Sequence, residues 1–178
     1  MSVLCHLQDA LLDTKILSRS AMLKGHSLNE KSVLCLYGGY FGVLTEWYCK
    51  QGAYVTAVDK DFSLYTGSCN NIVKEDVFKF LRYFKNNHVF VLDIDPFGDP
   101  LPALKLFLEN GNSADFFAIT NGMISKKRLA RGARYIDNKL FISRFVEEVS
   151  ELIEGNLVSL FVSERGNAFY AGFAKKRE

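Results

Sequence analysis

The chain closes on two strand-like runs, "LVSLFVS" at 157–163 and "AFYAGFAKK" at 168–176, joined only by "ERGN". A connection that short cannot carry a crossover between parallel strands, so the two runs must form an antiparallel hairpin. Everything upstream reads differently. "SVLCLYGG" runs into the helical pattern "VLTEWYCKQG"; "AYVTAVDKD" follows; "NIVKEDV" leads to "FKFLRYFKNN", "HVFVLDIDPFGDP" to "ALKLFLENG", and "ADFFAIT" to a helix ending near residue 153. Strands alternating with helices predict a parallel sheet covered on both faces. The expected fold is therefore α/β, a doubly wound Rossmann-like sheet of seven mostly parallel strands with an antiparallel C-terminal hairpin.

A chain of 178 residues, 48% of them hydrophobic, is enough for one core. One domain is expected over 1–178, with an N-terminal helical segment at 1–30 and the Rossmann-like core at 31–178. Val3, Leu7, Leu11, Ile16, Leu17 and Met22 recur at roughly helical spacing within that segment. The formal net charge is only +2, so affinity for nucleic acid must come from local clustering of Lys and Arg. Cys5, Cys35, Cys49 and Cys69 form no CxxC pair and are expected to be buried thiols, with no metal site, in a reducing compartment. "MSVLCHLQDALLDTK" lacks a basic leader, and no apolar run approaches the roughly 18 residues of a membrane span. A cytoplasmic protein with no membrane association is expected.

Strand–helix alternation closed by such a hairpin resembles the class I S-adenosylmethionine-dependent methyltransferases, whose seventh strand lies antiparallel beside the sixth. The resemblance covers nearly the whole chain and implies S-adenosyl-L-methionine as cofactor. Its binding residues would lie in the turn after the first strand, Tyr37, Gly38, Gly39 and Phe41, where bare backbone meets a ligand at the carboxyl edge of the sheet. Asp59, about twenty residues beyond Gly38 and followed by Lys60, sits where a carboxylate accepts from two ribose hydroxyls. Asp76, with Val77 after the third strand, is placed for an adenine amino group. A glycine turn by itself is equally explained as a tight strand-to-helix connection; the three positions together point to a nucleoside. Two positions depart from the family pattern, Cys35 where an acid is usual and Phe41 where glycine is usual.

The stretch "VLDIDPFGDP" at 91–100 is the most specific. A carboxylate after a buried strand ordinarily caps the next helix, but Asp99 and Pro100 already supply the N-cap and first helical residue of "LPALKLFL". Asp95 is left without a helix to start. It falls at the carboxyl end of the fourth strand, beside the first, where ligands bind in such sheets.

An Asp-Pro-aromatic sequence there resembles the motif of methyltransferases that modify exocyclic amino groups of nucleobases, and "DIDPFGDP" is similar to the catalytic core of the tRNA N2,N2-dimethylguanosine methyltransferases. The resemblance implies that Asp95 and the Pro96 carbonyl accept from the reacting amino group, that Phe97 stacks on the base and that Gly98 lets the turn approach the substrate. "AITNG" places Asn121 in the corresponding fifth-strand position. The family's large C-terminal RNA-binding region is not part of the match. Beyond the fifth strand, "SKKRLARGAR" gathers Lys126, Lys127, Arg128, Arg131 and Arg134, either a solvated helix face or an entry path for nucleic acid. RNA is the expected partner ahead of DNA, and a protein partner could extend substrate binding. The alternatives are a methyltransferase-fold binding module or accessory subunit, favoured by Cys35 and Phe41, a DNA amino-methyltransferase, and a nicotinamide-dependent enzyme, which leaves "DIDPFG" unexplained.

Overall fold

The computed structural model describes residues 14–39, 42–65, 67, 69, 71–122, 138–163 and 168–176. Residues 14–22 are helical (α1). They lead to β1 (Ser32–Leu36), α2 (Val43–Lys50), β2 (Tyr54–Asp59), β3 (Asn71–Lys74), α3 (Val77–Tyr83), β4 (His88–Ile94), α4 (Leu101–Glu109), β5 (Ser113–Asn121), α5 (Asn138–Leu152), β6 (Gly155–Val162) and β7 (Phe169–Lys175). The seven strands form one sheet in the order β3-β2-β1-β4-β5-β7-β6. Only β7 runs against the rest, pairing antiparallel with β5 on one side and β6 on the other. The fold expected from the closing hairpin and the strand–helix cycles is the one observed.

Side-chain alternation along the central strands sorts the helices onto two faces. Leu34 and Leu36 of β1, Leu92 and Ile94 of β4, and Phe117 and Ile119 of β5 meet Phe80 and Leu81 of α3, Leu104 and Phe107 of α4, and Phe145 and Val149 of α5. The intervening residues, Val33, Cys35, Val91, Phe116 and Ala118, meet Met22 of α1, Leu23 just after it and Tyr48 of α2. Asp93 belongs to this second face, because it pairs in register with Cys35 and with Ala118. Strand β1 lies between β2 and β4, the point at which the order reverses and a crevice opens at the carboxyl edge.

The cysteine expectation is corrected for two residues. Cys49, at the end of α2, and Cys69, before β3, are joined in a disulfide with Cα atoms 6.2 Å apart. The sequence carries no sign of this pair, since the stretch returning from β2 brings Cys69 back over α2 only in three dimensions. Cys35 is a buried free thiol, pushed well up by burial and then by the Asp93 carboxylate, and Cys5 lies outside the described residues. With two of the four cysteines paired, cysteine usage no longer argues for a reducing compartment.

Candidate active site

After β1 the chain turns through Tyr37, Gly38 and Gly39. Tyr37 adopts a left-handed backbone, φ 63°, a conformation costing a side-chain-bearing residue about 1–2 kcal/mol. Its N–H donates to the Val58 carbonyl at 2.9 Å, which ties the turn to β2. At Gly39 a Cβ would lie 2.5 Å from Asp59 Cβ and 2.6 Å from the Asp61 carbonyl oxygen. Only glycine lets the turn press against the end of β2, and the contact is used: Gly39 N–H donates to Asp59 Oδ2 at 3.0 Å.

Asp59 is thereby oriented at the last position of β2, with Asp61 N–H donating to its other oxygen at 3.3 Å. Each carboxylate oxygen retains a lone pair for a hydroxyl donor. Asp76 caps α3, accepting from Lys79 N–H at 3.0 Å, and pairs with Lys60 at 2.7 Å. The Lys60 bond, then the Lys79 amide, holds its carboxyl below the ordinary range. Val77 starts α3 and is buried in the core beneath it. Tyr37 packs on the same cluster, its hydroxyl pushed up to about 12 by burial and by Asp76 and Asp59. A bare-backbone turn, an acceptor for vicinal hydroxyls and a second acceptor one strand away are the donor and acceptor set a ribonucleoside requires.

At the end of β4 the pattern "DID" puts two carboxylates on one face. Asp93, 2% exposed, is clasped by Arg19, 1% exposed, with Arg19 Nη2 to Oδ1 at 2.7 Å and Nε to Oδ2 at 3.0 Å. Tyr48 donates its hydroxyl to Oδ2 at 2.8 Å and Arg19 Nη2 also donates to Thr120 Oγ1 at 3.1 Å. Burial opposes the Arg19 charge, but Asp93 outweighs it and keeps the guanidinium protonated. The Tyr48 hydroxyl is pushed well up by burial and then by Asp93.

Asp95 continues the ladder by one amide, donating N–H to the Leu36 carbonyl at 3.1 Å. It caps no helix: Asp99 Oδ1 accepts from Leu101 N–H at 3.1 Å, with Pro100 already in the helical region. Both Asp95 oxygens instead accept from Lys15 Nζ, at 2.9 and 2.6 Å. Phe97, two residues on, is 87% exposed, a conspicuous position for an aromatic ring. Gly122 N–H donates to the Gly98 carbonyl at 3.2 Å and so ties the β5 exit to this loop. Asn121 is buried at the end of β5.

Among the expected site residues, Tyr37, Gly38, Gly39, Asp59, Lys60, Asp76, Val77, Asp95, Pro96, Phe97, Gly98 and Asn121 lie at or beside the carboxyl ends of β1–β5. Phe41 and the run Lys126, Lys127, Arg128, Arg131 and Arg134 lie outside the described residues. Sequence reasoning missed Lys15, Arg19, Asp93 and the Tyr48 hydroxyl that donates to Asp93. Tyr170 of β7 was also missed; its buried hydroxyl is pushed up to about 12 by burial and then by the Asp95 charge. Among the described residues no group of His, Cys, Asp or Glu is arranged to hold a metal ion, and no helix is long and apolar enough to cross a membrane. A cavity of about 210 Å³ bounded by Leu108, Asn112, Phe117, Ile153 and Lys175 lies at the opposite, amino edge of the sheet, away from these groups.

No family model matches the sequence, and no curated protein matches it. Solved structures do. A candidate S-adenosylmethionine-dependent methyltransferase from Listeria monocytogenes superposes with a TM-score of 0.67 at 13% identity, covering 95% of this chain and 100% of the other. A candidate hemolysin from Lactococcus lactis gives 0.67 at 17%, covering 92% and 87%. A candidate RNA methyltransferase from Pyrococcus horikoshii gives 0.57 at 19%, covering 93% and 85%. At these identities the likeness establishes the fold, that of the S-adenosylmethionine-dependent methyltransferases.

Proposed function

We propose that the chain is an S-adenosylmethionine-dependent methyltransferase acting on an exocyclic amino group of a nucleobase, in RNA rather than DNA, with the N2 amino group of guanine in transfer RNA as its finest form. The observation that carries the reading is Asp95: a carboxylate at the switch point of the sheet, free of capping duty and followed by a proline and an exposed aromatic ring. The methyltransferase fold and the nucleoside-matched set at Gly39, Asp59 and Asp76 support the cofactor.

When bound, the cofactor supplies an electrophilic methyl group. The chain's own residues do the rest. Asp59 accepts from the ribose hydroxyls and Asp76 from the adenine amino group, while Gly38 and Gly39 keep the first turn bare. A nucleobase amino nitrogen is planar and conjugated, so its lone pair becomes available only as it turns tetrahedral. Acceptors at Asp95 and at the Pro96 carbonyl favour that geometry and stabilise the positive charge growing on nitrogen, and Asp95 is placed to take the departing proton. Phe97 stacks on the base, a contact worth about 1–3 kcal/mol in other proteins that hold unpaired bases. The basic run from Lys126 to Arg134 would meet phosphates, and a protein partner in the cytoplasm could extend that contact.

One observation favours a non-catalytic binding module, namely that Lys15 already engages both Asp95 oxygens. Calorimetric titration with S-adenosylhomocysteine, followed by nucleoside analysis of transfer-RNA transcripts incubated with methyl-labelled cofactor, separates the readings. The enzyme binds the product cofactor and leaves N2-methylated guanosine; a binding module leaves the transcripts unmodified. Replacing Asp59 with Ala should weaken S-adenosylhomocysteine at least tenfold, about 1.4 kcal/mol, through loss of two charge-assisted hydrogen bonds. Unchanged affinity would remove Asp59 from the site.

A further inference from the structure

Two cations on α1 meet two carboxylates on β4, rung by rung. Lys15 and Arg19 stand one helical turn apart, a rise of about 6 Å, and Asp93 and Asp95 stand two residues apart on one side of an extended chain, about 6.6 Å. The repeats match, so a helix lying along the strand can satisfy both carboxylates without distortion. The inner rung is sealed: Arg19 and Asp93 are 1% and 2% exposed. The outer rung opens to the crevice, with Lys15 and Asp95 side chains 26% and 16% exposed.

α1 is firmly seated. Ser159 Oγ donates to the Ser18 carbonyl at 3.1 Å, Ser18 Oγ donates to the Tyr170 carbonyl at 3.4 Å, and Met22 and Leu23 are buried against the sheet. Lys15 is therefore delivered to Asp95 by a helix anchored from Ser18 to Met22. Its ammonium donates to one lone pair on each Asp95 oxygen and leaves one on each for another donor. That arrangement fixes the plane of the carboxylate while keeping half of its acceptor capacity.

We propose that Lys15 is the positioning residue of Asp95, an ammonium that orients the accepting carboxylate toward the substrate amino group and balances its charge beside the cationic methyl donor. The inference rests on the reading of Asp95 given above. It also explains the Lys15 contact without a blocked site, because a carboxylate bound to one ammonium still accepts from a second donor. A rigid acceptor matters most in the transition state, where a small misplacement of a reacting group is costly.

The test compares Lys15→Met and Lys15→Arg with the wild type, with thermal melting as the control for folding. Lys15→Met should lower kcat on transfer-RNA transcripts about tenfold or more, with KM for RNA changed less than about threefold, since orientation and not uniform binding is lost. Lys15→Arg, which can still donate to both oxygens, should recover most of that loss. A second readout needs no turnover. In Lys15→Met the Asp95 charge stands uncompensated, so affinity for the sulfonium of S-adenosylmethionine should rise relative to the neutral thioether of S-adenosylhomocysteine by about threefold or more, the effect of one unit charge several ångströms away in a partly solvated site. That ratio reports the charge balance at Asp95, while recovery of kcat by Lys15→Arg, which keeps the charge and two donors, reports the positioning. Wild-type kcat and an unchanged ratio in Lys15→Met overturn the inference, as does a faster variant with lowered KM for RNA, which would mark Lys15 as an obstruction. If Asp95→Asn turns over normally, or neither cofactor form binds, the reading of the site itself fails; if Asp95→Asn is inactive and only Lys15→Met behaves as wild type, the positioning role alone fails.

Discussion

Tyr170 shows how one side chain carries information from the site into the stability of the fold. Its buried hydroxyl on β7 is pushed from the ordinary 10 to about 12 by burial and then by the Asp95 charge. Between those values the folded chain holds a proton that the unfolded chain has released. The sign follows: the contribution is fully present below about pH 10 and is lost as pH rises through about 12. Alkaline urea denaturation should therefore show stability falling over that window, and Tyr170→Phe should fall less steeply than the wild type; parallel curves would mean that neither burial nor Asp95 holds the proton on Tyr170. At this scale some residues were legible and others were not. Asp95 stood out because Asp99 and Pro100 already explained the start of α4, which left one carboxylate with no local task. Lys15 did not, because a lysine on an amphipathic helix has an ordinary reading as a solvated face, and its partner lies far along the chain.

Among the elements, α1 departs furthest from what its sequence suggests. Its apolar spacing predicted a helix, but nothing local announced that Arg19 would be buried in a clasp with Asp93, Tyr48 and Thr120. A buried pair of this kind adds little over apolar packing, yet breaking one side leaves an uncompensated charge. Asp93→Ala should accordingly cost about 3–5 kcal/mol in urea denaturation, far more than a surface carboxylate. A loss below about 1 kcal/mol would mean that solvent reaches Arg19 and that the clasp does not anchor α1. The strands were easier to read. β4 and β5 are apolar on both faces because helices cover both, and the four-residue "ERGN" link left β6 and β7 no arrangement except antiparallel neighbours. The Cys49–Cys69 bond was hidden for the opposite reason: it depends on how the stretch after β2 folds back over α2, which no periodicity encodes.

Across the whole molecule, the order β3-β2-β1-β4-β5-β7-β6 brings the glycine turn, Asp59, Asp76 and the Asp95–Phe97 loop to one edge, although each comes from the end of a different strand. On the proposed function the edge divides by task. Toward β2 and β3 stand acceptors suited to a nucleoside; between β1 and β4 stands a carboxylate held by α1 and followed by an exposed ring. A methyl donor on the first half would meet a nucleobase on the second. The fold alone does not require that division, since the same architecture is shared with a candidate hemolysin, so the chemistry has to be tested at the carboxylate. The direct measurement is transfer of labelled methyl from S-adenosylmethionine to unmodified transfer-RNA transcripts by the wild type and by Asp95→Asn, with S-adenosylhomocysteine affinity measured on both. Under the proposed mechanism the wild type yields methylated guanosine, Asp95→Asn loses at least about a hundredfold in kcat, as expected where a general base and charge-stabilising group is removed, and cofactor affinity stays within about threefold in both, because the group acts chiefly in the transition state. Wild-type turnover by Asp95→Asn, or cofactor binding by the wild type with no methyl transferred to RNA, would contradict it.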